Sequence, residues 1–143
     1  MNRADIRAAA EKLRRKVVAD PAALGATIED PIPVETPTGE LDSWFVALTA
    51  DEQLLGFFQL EPDLVLHRYS TFDRPPLAAD WLDRGVIRGR ARTAADDGDR
   101  LGEPILTYLS SRDRLAWRVP IANRPAAIYV SGEHIEVVVA GGA

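Results

Sequence analysis

Trp44-Phe45-Val46-Ala47-Leu48 and, 73 positions on, Trp117-Arg118-Val119-Pro120-Ile121 decide how this chain is read. Pro31-Ile32 stands thirteen residues before the first tryptophan, and Pro104-Ile105 thirteen before the second. Gly25 and Gly98 fall on the same register. Four identities (Pro, Ile, Trp, Val) cluster within sixteen positions, and one of them is the rare tryptophan. The pattern suggests one structural unit used twice. Two copies are too few for a solenoid, which needs three or more stacked repeats, so two facing lobes or one shared sheet suit it better.

Outward from the first tryptophan, Trp44, Val46 and Leu48 alternate as a strand does, and Thr49-Ala50-Asp51-Glu52-Gln53 carries turn chemistry. Leu54 to Leu60 is the return strand, broken only by Gly56, and Glu61-Pro62-Asp63 turns the chain into a third strand over Leu64–Tyr69. Connections this short predict antiparallel pairing, since parallel strands need long crossovers. Leu54-Leu55-Gly56-Phe57-Phe58 is apolar on both faces, so this strand is expected to be central and covered twice. One cover would be a helix, the other the second half or another subunit, which gives a route to a homodimer. Around the second tryptophan the spacing predicts strands over Pro104–Leu109, Leu115–Ile121, Ala126–Ser131 and Ile135–Ala140, with Gly141-Gly142-Ala143 fraying at the end.

Each strand series follows a helix. Ile6, Ala9, Ala10, Leu13 and Val17 recur at helical spacing from about Arg3 to Ala19. Asn2 can cap that helix with Asp5 as the acidic half of a capping box, and Asp20-Pro21 stops it. Gly25 to Asp42, with prolines at 31, 33 and 37, reads as irregular or edge-like backbone. A second helix is expected to start at Asp73-Arg74-Pro75-Pro76, to turn Leu77, Trp81 and Leu82 inward, and to end at Gly85. The expected fold is therefore α+β: two helix-plus-antiparallel-meander units, residues 1–72 and 73–143, forming one compact domain. A chain of 143 residues fits one ordinary domain, and halves near the lower limit for independent folding would share a core.

Helix-plus-meander units with a tryptophan opening one hairpin resemble the PepSY-type, cystatin-like modules. The residues carrying the resemblance are the helix ending near Ala19 and the hairpins opened by Trp44-Phe45-Val46 and Trp117-Arg118-Val119. The Asp-x-x-x-Gly turn usual after the return strand is replaced in the first copy by Glu61-Pro62-Asp63. The resemblance implies a tandem binding or inhibitory module more than an enzyme.

Composition narrows the chemistry. A net charge of −5 gives no general attraction to nucleic acid or anionic membranes. The absence of cysteine excludes disulfides, thiolate catalysis and cysteine zinc sites. No apolar run approaches the roughly 20 residues a membrane span needs, and Met1-Asn2-Arg3-Ala4-Asp5 does not open an apolar signal core. A cytoplasmic, soluble protein is expected, with no membrane or nucleic-acid partner.

The motifs for catalysis and cofactors fail in turn. Ser70, Ser110 and Ser111 lack a nucleophile elbow, and Gly85 and Gly89 lack a dinucleotide fingerprint. Asp96-Asp97-Gly98-Asp99 does not fit a calcium loop, because its ligand positions fall on Thr93, Ala95 and Pro104; it reads as a solvated loop. His134-Ile135-Glu136 is read as turn and strand surface, not as a metal site. No catalytic residue, metal or cofactor is expected. The candidate ligand-binding residues are Trp44 and Trp117 as groove aromatics, Arg88, Arg90 and Arg92 as a patch able to clamp an anion, and His67. These predict a non-catalytic module that binds a peptide, protein or small ligand through a sheet face or edge. The alternative is a cone-shaped α+β enzyme or ligand carrier (the nuclear-transport-factor type) with an enclosed apolar pocket. His67, Tyr69 and Asp80 would then serve acid–base work.

Overall fold

Residues 2–139 are described by the structure, a computed structural model of α+β class with antiparallel sheets. They divide into two compact units, residues 2–34 with 39–78 and residues 35–38 with 79–139.

The first unit opens with α1 (Arg3–Val17), which starts where its orphan N–H groups find partners. The Asp5 N–H donates to Asn2 Oδ1 at 2.9 Å, and the Asn2 N–H donates to the Asp5 carboxylate at 3.3 Å. Ile6 and Ala10 are buried and Ala9 and Leu13 partly so, but Val17 is exposed and Val18 is buried in its place. Asp20-Pro21 stops α1 and also starts a short helix, α2 (Pro21–Leu24), because aspartate caps the Ala22 N–H and proline suits the first helical position.

Five strands follow: β1 (Thr27–Ile28), β2 (Ile32–Glu35), β3 (Leu41–Ala50), β4 (Gln53–Leu60) and β5 (Leu66–Thr71). Both β1 and β2 pair with β3, then β4 and β5 complete an antiparallel meander. The proline-rich stretch read as irregular thus holds two short strands. Asp51 and Glu52 link β3 to β4 with both φ angles positive, 51° and 64°, the twist that two-residue hairpins require. Leu64, expected to begin the third strand, instead has φ of 70° and donates its N–H to the Glu61 carbonyl.

Val46, Leu48, Phe58 and Leu60 form one core cluster with Ile6, Ala10, Val18, Ala23, Ala26 and Ile28. Each large side chain buried there stabilises the unit by roughly 1.5–3 kcal/mol. Phe45, Ala47, Phe57 and Gln59, on the other face, are buried too, so the apolar return strand is covered on both sides. Gly56 is required by close approach: a Cβ there would lie 2.6 Å from the Ser70 carbonyl oxygen.

The second unit comprises α3 (Ala79–Leu82), α4 (Arg84–Ala94) and the sheet β6 (Ile105–Tyr108), β7 (Leu115–Ile121), β8 (Ala126–Ser131) and β9 (His134–Val139), paired in that order. The helix expected to begin at Asp73 does not. Leu54 N–H donates to Pro76 O, Ala78 N–H donates to Glu52 O, and Leu77 bridges Gln53, so residues 76–78 run extended beside β4. Leu77, expected inward, is exposed. Gly85 does not end a helix either. Asp83 accepts from the Gly85 and Val86 N–H groups and caps the start of α4. Ala140 and the Gly141-Gly142-Ala143 tail lie outside the described residues.

The two sheets share a strand order and a few backbone contacts at the 73-residue offset, but not the register of their central hairpins, where Trp44 faces Leu60 and Trp117 faces Val130. In the first unit Ile28 pairs Leu48, and Glu29 N–H donates to Ala47 O at 2.9 Å. In the second, Leu101 bridges Ile121, and Gly102 N–H donates to Pro120 O at 2.7 Å. Every residue of the second set is the 73rd after its counterpart. β2 and β6 match at both ends, and β4 and β8 at their starts. The hairpins differ: two turn residues join β3 to β4, whereas residues 122–125 join β7 to β8.

Candidate functional site

The three arginines fall on α4, not beyond it, and each is used to tie down a different part of the second unit. Arg88 donates to Leu101 O at 2.9 Å and lies 3.6 Å from the Glu103 carboxylate. Arg90 donates to Gly132 O at 3.0 Å and to the Asp80 carboxylate at 2.9 Å. Arg92 donates to Asp99 O and Asp96 O. A helix containing Gly85 and Gly89 has low intrinsic propensity, and these side-chain ties hold it against the sheet.

The acidic loop read as solvated is clamped. Asp99 is buried and takes a bidentate contact from Arg124, with Nε at 2.8 Å and a terminal nitrogen at 2.9 Å. That contact, helped by the Asp96 N–H and Arg92, holds the Asp99 carboxyl at about 2, well below the usual carboxylate range. Asn123 closes the loop by accepting from Arg100 N–H and donating to Gly98 O.

The aromatic candidates differ. Trp117 is 1% exposed, donates its indole N–H to Trp81 O at 2.9 Å, and lies under the Arg84 guanidinium. Trp44 is half-buried at the margin of the first unit's core. His67 faces Glu61 at 3.4 Å, and Tyr69 packs on Phe58, where burial first and then the Asp20 charge raise its hydroxyl pKa. Asp80 is spent on Arg90. His134 lies beside Glu136 on β9, and among the described residues no group of three or more His, Cys, Asp or Glu could hold a metal ion.

Two features escaped the sequence reading. On the second face of the first sheet, Arg68 donates to Gln59 Oε1 at 3.0 Å and Gln59 donates to Ser43 Oγ at 2.9 Å. Phe45 and Phe57 stack beside this chain at 4.7 Å, with Arg68 over the Phe57 ring. Gln59 and Ser43 are fully buried, so the chain satisfies polar groups inside an otherwise apolar layer.

The second feature is β9. It is the last strand of its sheet, paired on one side to β8. Val137, Val138 and Val139 are 39%, 40% and 52% exposed, three consecutive apolar residues on a strand edge. Edges of this kind are normally blunted by charged side chains, lysine above all, by proline or by a bulge, and β9 carries one carboxylate, Glu136. β9 has no lysine or proline, and its register with β8 runs unbroken. Comparison with protein-family models, curated proteins and solved structures gives no match.

Proposed function

We propose that this protein is a non-catalytic binding module that accepts an extended polypeptide segment along the β9 edge. The observation that carries the reading is the run of exposed valines on an edge strand without lysine, proline or bulge. Pairing an incoming strand there would satisfy outward-facing backbone groups and remove apolar surface from water in one step. The arginine patch offers a weaker anchor, because Arg88, Arg90 and Arg92 already bind carbonyl and carboxylate oxygens of their own unit. His67 and Asp80 are likewise engaged with Glu61 and Arg90.

The test is a pool of short extended peptides with alternating β-branched residues, read by amide hydrogen exchange on the intact chain. A binding peptide is expected to slow exchange at Ile135, Val137 and Val139. Peptides that bind but protect a different strand, or a pool in which none binds, would remove the reading.

A further inference from the structure

We infer that the segment β9 accepts is β9 of a second copy of this chain, giving a two-fold dimer in which two four-stranded sheets become one. This rests on the edge-binding reading above and names its occupant. The argument is one of register. Ser131 and His134 flank the two-residue turn Gly132-Glu133, so they form a pair that exchanges both backbone bonds. Bonding then alternates along the strand. His134, Glu136 and Val138 bond to β8, while Ile135, Val137 and Val139 turn their N–H and C=O groups outward.

A second β9 can approach antiparallel with these outward residues opposite one another. Centred on Val137, the pairing sets Val137 against its own copy and Ile135 against Val139. All three side chains lie on the face that carries Val130 and Trp117, so the apolar row continues across the symmetry axis. On the other face Glu136 meets Val138, and no like charges are opposed. Moving the centre by one residue to Glu136 sets two carboxylates face to face, which is unfavourable. Of the two registers that pair five described residues of β9, the Val137-centred one is thus complementary to itself, and two-fold closure leaves no edge for further growth at that point. The outward row carries no charge that would select an acidic or basic partner instead. An edge pairing of five residues on each strand lies at the small end of specific interfaces, so the dimer is expected to dissociate measurably on dilution. Added salt should strengthen it, because each copy carries a net charge of −5.

Sedimentation of the full chain over a dilution series tests this, together with Val137→Lys, Val137→Glu and an equimolar mixture of the two. The wild type is expected to dimerise, and each variant to dimerise at least about tenfold more weakly. The mixture should recover dimer, because only the Val137-centred register sets the two substituted side chains directly opposite. Circular dichroism confirms that each variant folds, and Val65→Lys, at an exposed valine elsewhere, should leave dimerisation unchanged. A wild type that stays monomeric at high concentration overturns the inference. So does a dimer indifferent to both substitutions, or a mixture that shows no recovery. If the monomer still binds the extended peptides at β9, the edge-binding reading survives and only the second copy is eliminated. If nothing protects β9, both fall.

Discussion

The last strands of the two units hold the same place in matching meanders, yet β5 is half-buried and β9 lies open. Leu66 and Tyr69 of β5 pack on the first core, and Arg68 reaches Gln59. β9 presents valine on both of its faces with little over them. Pairing order is set by turns and backbone register; whether a strand is finished or left open is set by the side chains around it. Two sheets can therefore share a strand order and still differ in hairpin register and in the surface they offer.

The most forceful way to break the comparison is at the tryptophans. Trp117→Ala should cost about 3–5 kcal/mol in urea unfolding, whereas Trp44→Ala, at the equivalent but half-buried position, should cost about half as much. Equal costs would mean that the difference in burial has no energetic weight. Gly56→Ala comes next, at about 1–3 kcal/mol, because its Cβ meets the Ser70 carbonyl. β8 contains no glycine, so the second sheet has no equivalent substitution. Asn2→Ala should cost about 1 kcal/mol through loss of the capping box, measured by thermal unfolding.

Asp99→Asn probes the clamp on the second unit, and its effect should depend on pH. The folded carboxyl titrates at about 2, below its unfolded value, so the unfolded chain takes up the proton first. The stabilisation by Asp99 should be complete above about pH 4 and fade as the pH falls through about 2. The wild-type and variant melting curves should therefore converge in acid. The smallest effect on stability is expected at Val137→Lys, within about 0.5 kcal/mol, since the side chain is exposed. Measured at a dilution where the wild type is monomeric, so that loss of association does not contribute, a larger loss would show that β9 is not an open edge.

Much of this plan was legible in the residues. β7 and β8 occupy the spans read from the sequence, Leu115–Ile121 and Ala126–Ser131, because polar turns bracket apolar runs on both sides. α1 announces itself through Asn2, Asp5 and its apolar stripe. α4 was hidden by Gly85, which read as the end of a helix and not as part of its first turn. The signal that could have found it was Asp83, an N-cap ahead of Val86, Ile87 and Ala91. α2 was hidden because Asp20-Pro21 is a stop and a start in the same two residues. The exposure of Val137–Val139 had no signature at all. Consecutive valines suit a buried strand as well as an open edge, and only the place of β9 in the sheet decides between them.

Residues 35–38 group with the second unit although residues on either side belong to the first. Thr107 Oγ1 donates to Glu35 O within the second unit, at 2.7 Å. The polypeptide therefore visits the second unit briefly, returns, and only later completes it. No single cut of the backbone yields both units whole: a fragment beginning at Ala79 leaves the acceptor of Thr107 behind, and one ending at Ala78 carries off a strip that belongs elsewhere. During synthesis, that strip emerges before the unit it will join.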